Sequence, residues 1–150
     1  MIAIVPDANT ILSGMISPNG ATRKIIDLAL AKKIILYGSE VTYKEFCEKI
    51  QIDRFKKYIK RQYSSFEKII YDYRSFINVV DTFDILSKTT IITADPDDDE
   101  YLKVAIASNS KIIISRDHHL LDLKTYADTI IINPEMFLNT RYKLNNGKLF

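Results

Sequence analysis

The densest chemistry in the chain is Asp95-Pro96-Asp97-Asp98-Asp99-Glu100, five acids in six residues, followed at once by Leu102, Val104, Ala105 and Ile106 in a helical pattern. One or two carboxylates would serve the positive end of a helix dipole, each worth roughly 0.3–1 kcal/mol. Five crowded acids repel one another, and a bound cation relieves that repulsion, with protonation as the alternative. Asp7 adds a carboxylate directly after the apolar run Ile2 to Val5, in Ile-Val-Pro-Asp-Ala-Asn-Thr, where the alternative role is to cap a helix beginning near Thr10. Asp117 repeats the pattern after Ile112 to Ser115. Glu45 shares a helical region with Glu40 and Glu48, and helical glutamates are mostly solvated; its claim rests on a stripe shared with Val41, four residues earlier.

An all-oxygen donor set of this kind suits a hard divalent cation, magnesium or manganese, which takes carboxylates, waters and phosphate oxygens. Other chemistries lack their residues. There are no paired cysteines or spaced histidines for zinc, no Gly-x-x-x-x-Gly-Lys phosphate loop and no Gly-x-Ser-x-Gly elbow. His118 and His119 are adjacent, so they are not expected to converge on one ion and read as surface residues or substrate contacts. With 21 basic and 19 acidic residues the net charge of +2 carries no overall nucleic-acid or membrane signature, so the local distribution must decide. Arg54, Lys56, Lys57, Lys60 and Arg61, interleaved with Phe55, Tyr58 and Tyr63, combine phosphate contacts with rings on which bases can stack. The competing reading is a solvated helix face with its aromatics in the core. Arg116, beside Asp117, is a second candidate for a phosphate contact.

These residues need elements to bring them together. A chain of 150 residues, 47% hydrophobic, can bury one core without disulfides, and the single Cys47 reads as a buried thiol in a reducing cytosol. The chain shows no signal-peptide pattern at Met1, and its apolar runs fall far below the roughly 20 residues of a membrane span, so a soluble cytoplasmic protein without a membrane partner is expected. Strands are predicted at Ile2 to Val5, Ile34 to Tyr37, Asn78 to Val80, Lys111 to Ile114 and Thr129 to Ile132, without the polar alternation of a one-sided sheet. Between them, Ala21 to Lys33, Ser39 to Ile50 with a serine N-cap, and the spacing of Phe66, Ile69, Ile70, Tyr73, Phe76 and Ile77 predict helices. The alternation predicts an α/β fold, a mostly parallel central sheet with helices on both faces, whose site lies beyond the carboxyl ends of the strands. Residues 1–140 form the expected domain, and 141–150 a tail or small hairpin around Asn145-Asn146-Gly147.

Asp7-x-Asn9-x-x-x-Ser13 at the first strand end, Glu45 in the next helical region, Asp95 to Asp99 opening a helix, and Ser115-x-Asp117 after a strand together resemble the PIN-domain family. The likeness covers roughly residues 2 to 138 and is strongest to its toxin components of toxin-antitoxin pairs, in Asp-Pro-x-Asp-Asp before a Leu-x-x-Ala helix and Ser-x-Asp-x-x-Leu-Leu over Ser115 to Leu121. The resemblance implies a three-layer domain and a magnesium- or manganese-dependent endonuclease on single-stranded RNA. It implies metal-holding acids at Asp7, Glu45, one or both of Asp98 and Asp99, and Asp117, with Asn9, Ser13 and Ser115 orienting them. An antitoxin partner and a homodimer are further implications. Two positions depart from the family pattern: Pro6 removes a ladder donor before the first carboxylate, and Ala8 stands where a hydroxyl residue is frequent.

Two other classes compete. Asp7-Ala8-Asn9-Thr10-Ile11 is similar to the first motif of haloacid-dehalogenase-type phosphatases, but the second aspartate of that motif is Asn9 here, and the acidic run precedes Ser115 rather than following it. A non-catalytic RNA- or protein-binding PIN-like module would keep the fold without metal-dependent cleavage.

Overall fold

The computed structural model describes residues 1–85 and 98–144, with side chains through residue 140. In chain order the elements are β1 (Ile2–Pro6), α1 (Ala8–Ile16), α2 (Ala21–Leu30), β2 (Ile34–Gly38), α3 (Glu40–Lys49), α4 (Asp53–Gln62), α5 (Phe66–Phe76), β3 (Ile77–Val79), α6 (Asp99–Ser108), β4 (Ile112–Ile114), α7 (His118–Leu121), β5 (Thr125–Tyr126), β6 (Thr129–Ile132) and α8 (Pro134–Leu144). The five predicted strands are present within a residue or so, and the three predicted helices match α2, α3 and α5. Two boundaries differ. Helix α2 stops at Leu30 rather than Lys33, because Lys32 turns into the left-handed region (φ 58°) and redirects the chain into β2. Ile77, placed on a helix face by its spacing, instead opens β3 and pairs with Leu36. The edge strand β5, only two residues long, leaves no periodic mark in the sequence.

The strands form one six-stranded sheet in the order β3-β2-β1-β4-β6-β5, parallel except for the β5–β6 edge pair. Alternate residues serve opposite faces, as strand geometry requires. Ile4, Ile114 and Ile132 belong to the larger core with Ile11, Leu12, Ile25, Ile26, Phe46, Ile59, Ile69 and Phe137, supplied by the helices α1 to α5 and α8. Val5, Ile113 and Ile131 point the other way, to a smaller core with Tyr101, Leu102, Val104, Ala105 and Leu120 of α6 and α7. A sheet clad on both faces explains its runs of isoleucine and valine.

Order and direction locate the site. From β1 the chain first steps outward through β2 to β3, then crosses back to β4 on the other side of β1 and continues to β6. The reversal leaves a crevice beyond the carboxyl ends of β1 and β4. At Gly14 a Cβ atom would come within 2.6 Å of Ile26 Cδ1 and 2.9 Å of the Thr22 carbonyl oxygen, so the close crossing of α1 over α2 depends on glycine. The helix α8 runs to Leu144, and the Asn145-Asn146-Gly147 turn lies outside the described residues. Among the described residues, no helix is long and apolar enough to cross a membrane.

Candidate functional site

Asp7 leaves β1 at the crevice, with its backbone N–H donating to the Ile114 carbonyl of β4 at 3.0 Å. Pro6 has no N–H to give and stands opposite Ile114 at the last rung of the ladder, so its missing donor falls where the strand ends. The Asp7 side chain is buried and does two things at once. As N-cap of α1 its Oδ1 accepts from the Thr10 N–H at 2.7 Å, and its Oδ2 accepts from the Ser115 hydroxyl at the end of β4. Capping and site placement, alternatives in the sequence, are thus compatible in the structure. Burial raises the Asp7 carboxyl above its ordinary value; the hydrogen bonds from Ser115 and Thr10 oppose that rise, and the negative charge of Asp117 adds to it.

Ser115 links the two strand ends. While donating to Asp7, its Oγ accepts from the Asp117 N–H at 2.9 Å. Asp117, half-buried, caps α7 by accepting from the His119 N–H at 2.9 Å. The adjacent histidines are closer to converging than expected: a carboxylate oxygen of Asp117 and one nitrogen each of His118 and His119 lie within 4.8 Å of one another. The short helix α7 turns both rings toward the same side, with centroids 4.1 Å apart.

The third wall comes from α3 and α6. Glu45 is half-buried, but the reason differs from the one read in the sequence, since Val41 is 52% exposed and forms no inward stripe with it. Glu45 is held in part by Tyr101, whose phenol donates to Glu45 Oε2 at 2.5 Å and accepts from the Ala8 N–H at 3.0 Å. The phenol therefore joins the first turn of α1, and through it Asp7, to the acid on α3. Burial raises Tyr101 well above its ordinary value, with the charges of Glu45 and Asp7 adding to the effect, so the donor proton stays on the phenol. Tyr101 is not among the candidates singled out from the sequence, and two hydrogen bonds across 56 and 93 residues carry no local signal that could have found it.

Asp98 and Asp99 are both buried at the start of α6, and Asp98 lies three residues before Tyr101, the spacing that puts side chains on one helix face. Asp95 and Asp97 lie outside the described residues. Glu100, the last acid of the run, is buried as well. Its Oε1 accepts from Ser39 Oγ at 2.8 Å and Thr82 Oγ1 at 2.6 Å. Ser39 also caps α3 in a reciprocal capping box with Thr42. Glu100 thus pins the start of α6 to the start of α3 and to the segment after β3, a positioning role that the sequence reading missed.

Asn9 is exposed on α1, and Ser13 lines a groove between α1 and α4. Lys57, Lys60 and Arg61 are exposed on α4, whereas Lys56 is half-buried and pairs with Asp53 at 3.2 Å. Arg116 is engaged by a two-pronged contact with Glu135 at 2.6 and 3.1 Å, which holds the Glu135 carboxyl below its ordinary value; a phosphate there would have to displace that carboxylate.

Asp7, Glu45, Asp98, Asp99 and Asp117 carry oxygen donors of the kind a hard divalent ion takes, but among the described residues the compact group of metal-capable side chains is Asp117, His118 and His119, and the other four acids are not part of it. The electrostatic cost written into Asp7 is one that such a cation would relieve.

The uncharacterized protein MJ1680 of Methanocaldococcus jannaschii is 30% identical to this chain over 132 residues, 88% of this chain and 81% of that protein. A family model described as PIN domain matches residues 3–119, which span β1 through the start of α7. Proteins with this domain are generally nucleases and typically use divalent metal ions. The α/β sheet and the extent of the match lead to one conclusion: the chain belongs to the PIN-domain family.

Proposed function

We propose that this protein is a magnesium- or manganese-dependent endoribonuclease that cleaves single-stranded RNA. The observation that carries the reading is the Asp7–Ser115–Asp117 linkage across the ends of β1 and β4, electrostatically coupled to the Tyr101–Glu45 pair. A divalent ion held there would supply Lewis acidity and a water acidified toward neutral pH. The chain's own residues do the remaining work. Asp7, Glu45, Asp117 and one or both of Asp98 and Asp99 would hold the ion; Ser115 orients the Asp7 carboxylate and fixes the Asp117 backbone through its single hydroxyl; and Tyr101 donates to Glu45. Because uncompensated carboxylates repel phosphate, the ion also makes the pocket hospitable to RNA.

The test is cleavage of a labelled single-stranded RNA with manganese, magnesium or chelator, comparing wild type with Asp117→Asn. Metal-dependent cleavage lost in the variant supports the proposal. Binding without cleavage by pure wild-type protein under any divalent ion would replace it with the non-catalytic module. The same proposal extends to a cytoplasmic toxin acting opposite an antitoxin protein, as a homodimer. Growth arrest on expression, absent with Asp117→Asn, is the expected outcome for the toxin role.

A further inference from the structure

The helix α4 carries five cations in ten residues, Arg54, Lys56, Lys57, Lys60 and Arg61, against one acid, Asp53. They are not equivalent. Arg54, Lys57, Tyr58 and Arg61 stand at i, i+3, i+4 and i+7 and so share one helix face, while buried Ile59 and half-buried Phe55 face the core. Arg54, Lys57 and Tyr58 of that face, with Phe55, form one wall of a groove of about 520 Å³, within the usual size of a ligand site, whose other wall is Ser13 and Ile16 of α1 and Ser17 directly after it; Arg61 stands one turn further along the same face.

The cations of this face differ from the ion-paired cations of the protein in lacking carboxylate partners rather than in their rings, since Lys68 and Arg74 also lie over Tyr71 and Tyr43. Arg23, Lys56, Lys68, Arg74, Lys111 and Arg116 each lie against a carboxylate. Arg54, Lys57 and Arg61 have no carboxylate partner among the described residues and lie over aromatic rings. Arg54 is 4.8 Å from the Phe55 centroid, and Lys57 and Arg61 are 5.1 and 5.5 Å from that of Tyr58. Tyr58 is itself 41% exposed. An accessible ring between two uncompensated cations matches a base with its flanking phosphates. An acidic peptide would use the cations but not the ring. The groove also has a direction. Ser13 follows Asp7, the N-cap of α1, by six residues, about 9 Å along the helix axis at 1.5 Å per residue, a separation that a single strand of a few nucleotides can span.

We propose that the α1–α4 groove is the track for single-stranded RNA, with Tyr58 as the base-stacking platform and Arg54, Lys57 and Arg61 as its phosphate contacts. The inference rests on the RNA-nuclease reading and assigns the substrate path that reading leaves open.

Binding of a fluorescein-labelled oligouridylate, measured across a salt series in metal-free buffer, separates the groove from the cleavage chemistry. Tyr58→Ala should weaken binding about tenfold, a loss of one stacked base, and Tyr58→Phe should restore it. The triple variant Arg54→Gln, Lys57→Gln, Arg61→Gln should lower the log-log salt slope by about 2, at roughly 0.7 per phosphate contact, whereas Lys56→Gln should leave it unchanged. Circular dichroism confirms that the surface variants fold. Wild-type affinity and slope in both the Tyr58→Ala and triple variants would overturn the proposal. So would a wild type that ignores the oligonucleotide yet binds polyglutamate through the same cations, which would make the groove a seat for an acidic protein segment. Binding that follows the predicted pattern in a protein that cleaves nothing with manganese would uphold the groove and sink the nuclease reading.

Discussion

Asp7 concentrates the conflict between stability and site. It is an N-cap, which asparagine performs equally well, and a buried carboxylate next to another, which asparagine is not. Its folded-state pKa is raised, so the neutral form favours the fold. That contribution is complete below the ordinary carboxylate value of 3.8 and is lost as pH rises through the raised value. Metal-free Asp7→Asn should therefore match wild type in acid and be as stable or more stable at neutral pH, while cleaving nothing. Thermal melts across pH in chelator check this; a variant clearly less stable at neutral pH would mean that the charged carboxylate itself holds the fold. Tyr101 makes the opposite case. Tyr101→Phe keeps the packing but strands the buried Ala8 N–H and deprives Glu45 of a donor, which should cost about 1–3 kcal/mol in urea unfolding and weaken manganese binding. A phenylalanine variant with unaltered stability and metal affinity would reduce Tyr101 to a core ring.

At the scale of elements, three helix starts converge on the crevice, and each is fixed by a side chain with a second duty. Asp7 caps α1 and accepts from Ser115, Asp117 caps α7 and couples electrostatically to Asp7, and Ser39 caps α3 while donating to Glu100. The acidic run does not act as a unit: Glu100 is consumed in joining α6 to α3, while Asp98 and Asp99 lie at the same helix start. Ser39→Ala should remove both a cap and that joint, destabilising by about 1–2 kcal/mol. Glu100→Gln, whose amide oxygen can still accept from Ser39 and Thr82, should cost less and keep the metal dependence of cleavage. Chemical denaturation of the two variants checks the order; a larger loss in Glu100→Gln would show that its negative charge, rather than its hydrogen bonds, matters.

For the whole molecule, the fold and the site draw on different sources of stability. The two hydrophobic cores flank the sheet without calling on the carboxylates, so chelation should leave the protein folded. Adding manganese should raise the melting temperature with concentration, by about 2.7 kcal/mol of added stability at a hundred times the dissociation constant, and much less in Asp117→Asn. Calorimetric melts over a manganese titration test this. An unchanged melting temperature in wild type would remove the metal from the site, and unfolding on chelation would make it structural.

The isoleucine runs, the helix periods and the serine cap at Ser39 made the layered α/β sheet legible from the chain, because burial on both faces and local capping leave their marks within ten residues. Asp7 and Asp117 could be singled out for a related reason: a carboxylate at the end of an apolar strand is conspicuous in one dimension. What the sequence could not contain was partnership. Glu45 meets Tyr101, which lies 56 residues away, whereas Val41, the basis of its helical stripe, is exposed. Likewise the five cations of α4 looked interchangeable as a string. Only the packing of Ile59 and Phe55 against the core fixed the rotation of the helix, turning Arg54 and Lys57 with Tyr58 toward the groove and leaving Lys56 to Asp53. Periodicity gives each helix a face; which neighbour that face meets is set by the order of strands, and that order is a property of the folded chain alone.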